Sequence, residues 1–172
     1  MAAVQRIDVH LASVALERRM FAVMDLNLAM KNLSWELAGP GFTREHELLQ
    51  PQVSGVGAMV TDSARRLAVL PRPMMVASMP TAEWCIPEAV PAVLPPGAFG
   101  DLEGVFGALV LRYRQVVAGH GRAIRCLAGR DVTTGVLLHD QSQALSRYGQ
   151  LLSDQFRGPA RSAFEMRPRS AA

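Results

Sequence analysis

The segment that decides the fold is DLNLAMKNLSWELAGPGFTREHE, residues 25–47, which reads as the end of one helix, a turn and the start of a second helix. Apolar residues before the turn follow helical spacing at Leu26, Met30, Leu33 and Leu37. The Ala-Gly-Pro-Gly sequence at 38–41 predicts the helix end, because Gly permits a left-handed terminus and Pro cannot continue the hydrogen-bond ladder. Thr43 is predicted to cap the next helix, with two glutamates, Glu45 and Glu47, in its first turn.

Both helices extend beyond this segment. The first is predicted from about residue 11 to 37, where a second apolar set recurs every seven residues and widens the apolar face: Val14, Phe21, Leu28 and Trp35. The second is predicted to reach Leu70. An interior proline removes a backbone donor and clashes with the preceding turn, so we expect a kink or a restart at Pro51.

Seven of the eleven prolines lie within residues 71–99. A loop of this length suits a crossover between parallel helices, because the chain must return along the whole bundle. A short helix at 81–85 is predicted inside it. A third helix is predicted from about 100 to 127, ending at Gly129, and a fourth begins after a cap at Asp131 or Thr133. The predicted fold is all-α, a ferritin-like four-helix bundle with a long Pro-rich crossover between helices 2 and 3.

The predicted domain organisation is an N-terminal tail at 1–10, the bundle at 11–156 and an Arg-containing flexible tail at 157–172. Apolar residues make up 49% of the chain and charged residues 19%, which excludes a wholly disordered protein. No apolar run of 18 residues predicts a membrane span, and the charged N-terminus does not read as a secretory signal, so we expect a cytoplasmic protein without membrane partners. Cys85 and Cys126 lack metal-type spacing and are interpreted as reduced thiols.

The opening segment resembles the Dps proteins, the mini-ferritins that bind DNA in starved bacterial cells. Their pattern is roughly D-L-x-L-x-x-K-x-x-H-W-x-x-x-G-x-x-F-x-x-x-H-E, and the residues in register here are Asp25, Leu26, Leu28, Lys31, Trp35, Gly39, Phe42, His46 and Glu47. The resemblance covers roughly residues 15–155 and is strongest in the first third. It implies a homo-oligomeric shell, a dodecamer, with iron handling, DNA protection and a role in the stress response. It also makes nucleoid association an alternative to a freely cytoplasmic location.

The resemblance further implies five iron-ligand positions shared by two subunits. One subunit gives the His before the Trp, the His of the His-Glu pair and an Asp four residues later; its partner gives an Asp and a Glu. At these positions the chain has Ser34, His46 and Gln50, then Thr61 and Arg65. Iron oxidation needs imidazole and carboxylate ligands together, and a guanidinium repels a cation. Four of five ligands are replaced, so we interpret the ferroxidase centre as degenerate and the enzyme activity as lost.

Two alternatives remain open. Iron oxidation could persist at a relocated site formed by His46, Glu47 and Asp62, although Asp62 is rotated by about 100° from the expected position. The chain could also be a non-catalytic subunit that assembles with an active paralogue. Trp35, beside the family's iron centre, is interpreted as a core or interface aromatic residue.

DNA contact is assigned to the C-terminal tail, because mobile basic tails neutralise phosphates without reading bases. The residues in question are Arg157, Arg161, Arg167 and Arg169. A net charge of +3 does not by itself imply nucleic-acid binding, but tails repeated over twelve subunits could bind by avidity.

Asp131 and Asp140 fall near the positions of the family's acidic pore residues. The simpler interpretations of these two residues are a helix cap and a solvated carboxylate.

Overall fold

The computed structural model describes residues 2–39, 41–70 and 102–156, with side chains from His10 onward. They form four helices: α1 (Ala2–Glu36), α2 (Thr43–Val69), α3 (Leu102–Leu127) and α4 (Val132–Phe156). No strand occurs in these three ranges, and none of the four helices is long and apolar enough to cross a membrane. The all-α prediction is confirmed.

Contacts between helices give their directions. The end of α1 meets the start of α2, since the His46 ring contacts the Ser34 carbonyl. The start of α3 meets the end of α4, where Phe106 and Phe156 stack with centroids 3.8 Å apart. Arg66, near the end of α2, bonds to Asp131, just before the start of α4, so α2 runs antiparallel to α4 and therefore parallel to α3. The crossover predicted at 71–99, with its short helix at 81–85, lies outside the described residues.

The apolar face of α1 divides into two parts. Leu26, Met30 and Leu33 are buried in the core against the other three helices, as their spacing predicts. Leu28 and Trp35, in contrast, remain 56% and 68% exposed. Val14 and Phe21 of the same set are partly buried, so the second apolar set leaves the core only towards the end of α1, where it is rotated away from the stripe that faces α2 and α3.

Three helix details differ from the sequence predictions. α1 begins at Ala2 rather than near residue 11, because residues 2–10 contain no Gly or Pro that would end a helix. Thr43 is the first helical residue of α2 and does not cap it; the N-cap is Phe42, which forms no side-chain cap bond.

α2 continues through Pro51 as one element. Pro51 and Glu47, four residues earlier, are both exposed, so water can satisfy the carbonyl that the proline leaves unpaired.

The turn between α3 and α4 agrees with its prediction. Gly129 adopts φ +74°, the left-handed region in which glycine meets no Cβ penalty. Asp131 caps α4 by accepting the backbone N–H of Thr134 at 3.1 Å and its hydroxyl at 2.6 Å. The alternative cap, Thr133, is therefore not the one used.

Candidate functional site at the α1–α2 junction

Three of the five predicted ligand positions lie together where α1 meets α2. The Gln50 Nε2 amide donates to Ser34 Oγ at 2.7 Å and lies 3.2 Å from His46 Nε2. His46 Nδ1 lies 3.0 Å from the Ser34 carbonyl oxygen. We call these three residues the junction cluster.

One arrangement of protons satisfies the whole junction cluster. The carbonyl of Ser34 can only accept, so His46 carries its proton on Nδ1 and donates it there. His46 Nε2 then has a lone pair, and it accepts from the Gln50 amide. The same amide donates to Ser34 Oγ. In this arrangement the cluster is internally hydrogen-bonded.

These residues do not fit an iron ion. A metal needs the lone pairs of its ligands, and the His46 Nε2 lone pair already accepts a hydrogen from Gln50. A hydroxyl and an amide also replace the imidazole and carboxylate that the family pattern implies at positions 34 and 50. Where a cation would stand between these side chains, the chain places an N–H donor.

The remaining predicted site residues lie elsewhere on α2. Thr61 donates its hydroxyl to the Gly57 carbonyl at 3.3 Å. Asp62 pairs with Arg65 at 3.3 Å, and both side chains are more than half exposed. Asp62 is sixteen residues beyond His46, about 24 Å along the helix axis, so one chain does not bring the two together.

Other predicted site residues are placed as follows. Glu47 and Asp140 are exposed, and Trp35 stands on the outer face of α1 rather than in the core of the chain. Within the described ranges, no group of three or more His, Cys, Asp or Glu side chains is placed to hold a metal ion. Cys126 is an exposed free thiol. Cys85 and the four tail arginines lie outside the described residues: Arg157, Arg161, Arg167 and Arg169.

A second polar group, which the sequence did not predict, crosses the interior of the bundle. Gln141 Nε2 donates to the Met59 carbonyl at 3.1 Å and to Ser63 Oγ at 3.0 Å. This fixes Gln141 Oε1 towards His120 Nε2, 3.1 Å away. We call Ser63, His120 and Gln141 the core network, because all three are buried and they join α2, α3 and α4.

Burial lowers the pKa of His120, and the nearby Arg19 guanidinium lowers it further, against the opposing hydrogen bonds of the ring to Gln141 Oε1 and to the Val116 carbonyl. Arg19 lies against Gly119, where any side chain would clash with the guanidinium. The His120 ring also faces the Val116 carbonyl through Nδ1 at 3.0 Å. Both ring nitrogens therefore face acceptors, and a neutral ring can donate to only one of them.

An ion pair closes the opposite end of the bundle from the junction cluster. Arg66 donates to both carboxylate oxygens of Asp131 at 2.9 and 3.0 Å and to the Thr134 hydroxyl at 3.1 Å. Partial burial acts to raise the pKa of Asp131, but its hydrogen bonds to Thr134 and Arg66 outweigh burial and the pKa is lowered. Asp131 is thus a cap and an anchor for α2, in agreement with the simpler of its two interpretations.

Comparison with known proteins gives short sequence matches. No family model matches the chain. The fine tangled pili major subunit of Haemophilus ducreyi is 36% identical over 61 residues, 36% of this chain and 32% of that protein. The DNA protection during starvation protein of Mycolicibacterium smegmatis is 34% identical over 55 residues, 32% of this chain and 30% of that protein. Each match spans about a third of the relative's length.

Solved structures match over most of the chain. A mutant of Mycobacterium smegmatis Dps1 has a TM-score of 0.72 at 21% identity, covering 91% of this chain and 99% of that chain. DpsA14 from Streptomyces coelicolor has a TM-score of 0.69 at 27% identity, covering 86% and 85%. The resemblance that begins at Asp25 is therefore matched by the whole bundle: this chain has the ferritin-like four-helix fold of the Dps proteins.

Proposed function

We propose that this chain is a Dps-like shell-forming subunit that has lost the ferroxidase chemistry of the family. The observation that carries the proposal is the Gln50 amide, which donates to both Ser34 and His46 where an iron ligand set would need their lone pairs. Iron would be the substrate of the lost reaction. The bundle itself is complete, so a role that depends on assembly survives this loss.

Assembly is supported by the outer face of the chain. Three large apolar side chains of α1 are exposed and do not contribute to the core of a single chain: Met24, Leu28 and Trp35. A symmetric closed oligomer buries such a face against copies of itself. A dodecameric shell is the assembly proposed by family resemblance. An active paralogue as co-subunit is less favoured, because both halves of the shared site are altered.

A protective role in contact with DNA follows from the same resemblance, since one similar curated protein is named for DNA protection during starvation. The proposed contact is the tail at 157–172, through Arg157, Arg161, Arg167 and Arg169. A salt-sensitive gel shift is expected from the full chain and is expected to disappear when these sixteen residues are removed. A shift that survives the truncation would place the DNA contact on the bundle instead.

The central test combines mass and oxidation. The purified chain is expected to elute as a large oligomer and to oxidise ferrous iron no faster than buffer, under air or peroxide. Rapid, saturable oxidation that His46→Ala abolishes would show that the relocated site of His46, Glu47 and Asp62 works. A stable monomer would rule out the shell.

A further inference from the structure

A cavity of about 430 Å³ opens between the start of α3 and the end of α4. Its inner wall is apolar and consists of buried side chains from both helices: Phe106, Val110, Leu152 and Phe156. The two phenylalanine rings stack with centroids 3.8 Å apart, so the wall includes an aromatic pair. None of the lining residues belongs to the junction cluster or to the core network.

The outer side of this cavity is open because α3 carries two glycines there. Gly104 and Gly107 are three residues apart, so they lie on the same face of the helix. A Cβ added at Gly107 would meet no heavy atom within 4 Å, so no described residue fills the space beside it. The polar groups at the opening are the exposed Glu103 and the half-buried Ser153. The cavity therefore suits a large apolar side chain that is accompanied by a positive charge.

The chain itself supplies such a segment directly after the cavity. α4 ends at Phe156, which is part of the wall, and the sixteen-residue tail follows it. Gly158 and Pro159 favour a reversal of the chain there, because Gly permits a left-handed helix end and Pro cannot continue a helix. Only two large apolar residues occur in the tail, Phe164 and Met166, together with four arginines and one glutamate.

We infer that the tail folds back on its own bundle and inserts Phe164 into this cavity. Eight residues of chain from Phe156 to Phe164 reach at most about 28 Å. The cavity needs less, since its lining on α3 runs from Glu103 to Val110, about 10 Å along the helix. Arg161, three residues before Phe164, is then within reach of the Glu103 carboxylate.

This docking goes beyond the proposed function and does not depend on it. The last two arginines of the tail follow Phe164 and stay available for the proposed DNA contact. Burial of one aromatic ring is opposed by the conformational entropy of the residues that it orders. The docked tail is therefore in equilibrium with a released one, and substitutions that shift this equilibrium are measurable.

Limited trypsin cleavage after Arg161 in the full chain, followed by mass spectrometry, measures the docking. Docking protects this bond, so Phe164→Ala is expected to accelerate cleavage on the order of tenfold. Gly107→Leu fills the cavity from the α3 side, at a position with open space, and is expected to have the same effect. Met166→Ala, at the other large apolar residue of the tail, is the matched control and should be cleaved at the native rate. Acceleration by Met166→Ala alone would overturn Phe164 as the docked residue.

Disulfide trapping tests the same contact without removing the ring. In a Cys85→Ser/Cys126→Ser background, Gly107→Cys and Glu165→Cys in one chain are expected to form an intramolecular disulfide on oxidation. Gly135→Cys replaces Gly107→Cys in the control, because Gly135 also has open space at its Cβ but lies about 31 Å from Phe156 along α4.

Two results would overturn the inference. Disulfide-linked dimers in place of the intramolecular product would assign the cavity to the tail of a second copy. Equal trypsin cleavage in all variants, with no more cross-link than in the Gly135→Cys control, would show that the tail does not occupy the cavity.

Discussion

The junction cluster and the core network are both polar groups built around one histidine and one glutamine, yet they differ in burial and in the stability that depends on their hydrogen bonds. Gln50 is exposed and His46 only half-buried, whereas His120 and Gln141 are almost fully buried. Water can replace the hydrogen bonds of Gln50 in the first group, although Ser34 there is buried, but it cannot reach those of the second group. The difference indicates that His46 and Gln50 can be replaced at little cost in stability, whereas His120 and Gln141 cannot.

The largest expected effect comes from matched substitutions of the two glutamines. Gln141→Leu leaves His120, Ser63 and the Met59 carbonyl without their buried partner and should lower the free energy of unfolding by about 3 kcal/mol. Gln50→Leu should cost less than about 1 kcal/mol, since solvent reaches that site. Urea unfolding at one fixed protein concentration compares them. Equal losses would remove the distinction between the two clusters.

A smaller loss is expected from the ion pair at the far end of the bundle. Arg66→Ala leaves Asp131 partly buried without its bidentate partner and should lower the free energy of unfolding by about 2 kcal/mol. Arg147→Ala, at an exposed position of α4, should stay within about 0.5 kcal/mol. The same urea experiment measures both, and an Arg66 variant as stable as the Arg147 variant would contradict the anchoring role.

The core network should also make stability depend on pH. Burial lowers the pKa of His120 in the folded chain, so between that value and the ordinary value of about 6.5 the unfolded chain binds the proton more readily. The free energy of unfolding should therefore fall as pH decreases below about 6.5 and level off below the lowered pKa. His120→Gln should reduce this slope. His139→Gln, on the exposed face of α4, should leave it unchanged, and a slope that both variants share would point to other groups.

The smallest effect is expected at the residue on which a relocated iron site depends. Asp62→Asn removes only an exposed ion pair with Arg65 and should change the free energy of unfolding by no more than about 0.5 kcal/mol. Ferrous iron oxidation by the native chain and by this variant should be the same, at the rate of buffer. A loss of oxidation on this single change would instead assign Asp62 to a working site.

Local pattern was enough to predict the fold. Three local features appear as expected: the buried spacing of Leu26, Met30 and Leu33, the positive-φ glycines Gly41 and Gly129 in the two turns, and the Asp131 cap. Each of them depends only on residues that are close together in the sequence. α1 starts earlier than predicted, because Val4 and Ile7 continue the helical spacing of Leu11 and Val14 and no Gly or Pro interrupts the sequence. α2 does not restart at Pro51, because the cost of the proline depends on whether water reaches the freed carbonyl.

The site was only partly predictable, for a physical reason. The family resemblance grouped Ser34, His46 and Gln50 at one site, but it did not predict that Gln50 turns its amide nitrogen towards the other two. The core network joins residues as far apart as Met59 and Gln141, and neither Gln141 nor Ser63 stands out from ordinary polar helix residues in the sequence. Only the packing of α2, α3 and α4 brings them together.

The most direct test compares the native chain with one in which the family's ligands are rebuilt: Ser34→His, Gln50→Asp, Thr61→Asp and Arg65→Glu. Oxygen uptake and bound iron per chain are followed after ferrous iron is added to both proteins at equal oligomeric mass. We expect the rebuilt chain to bind and oxidise iron, because imidazole and carboxylates replace the donors that now oppose a cation. The native chain should do neither above the level of buffer. Native oxidation as fast as that of the rebuilt chain would contradict the account.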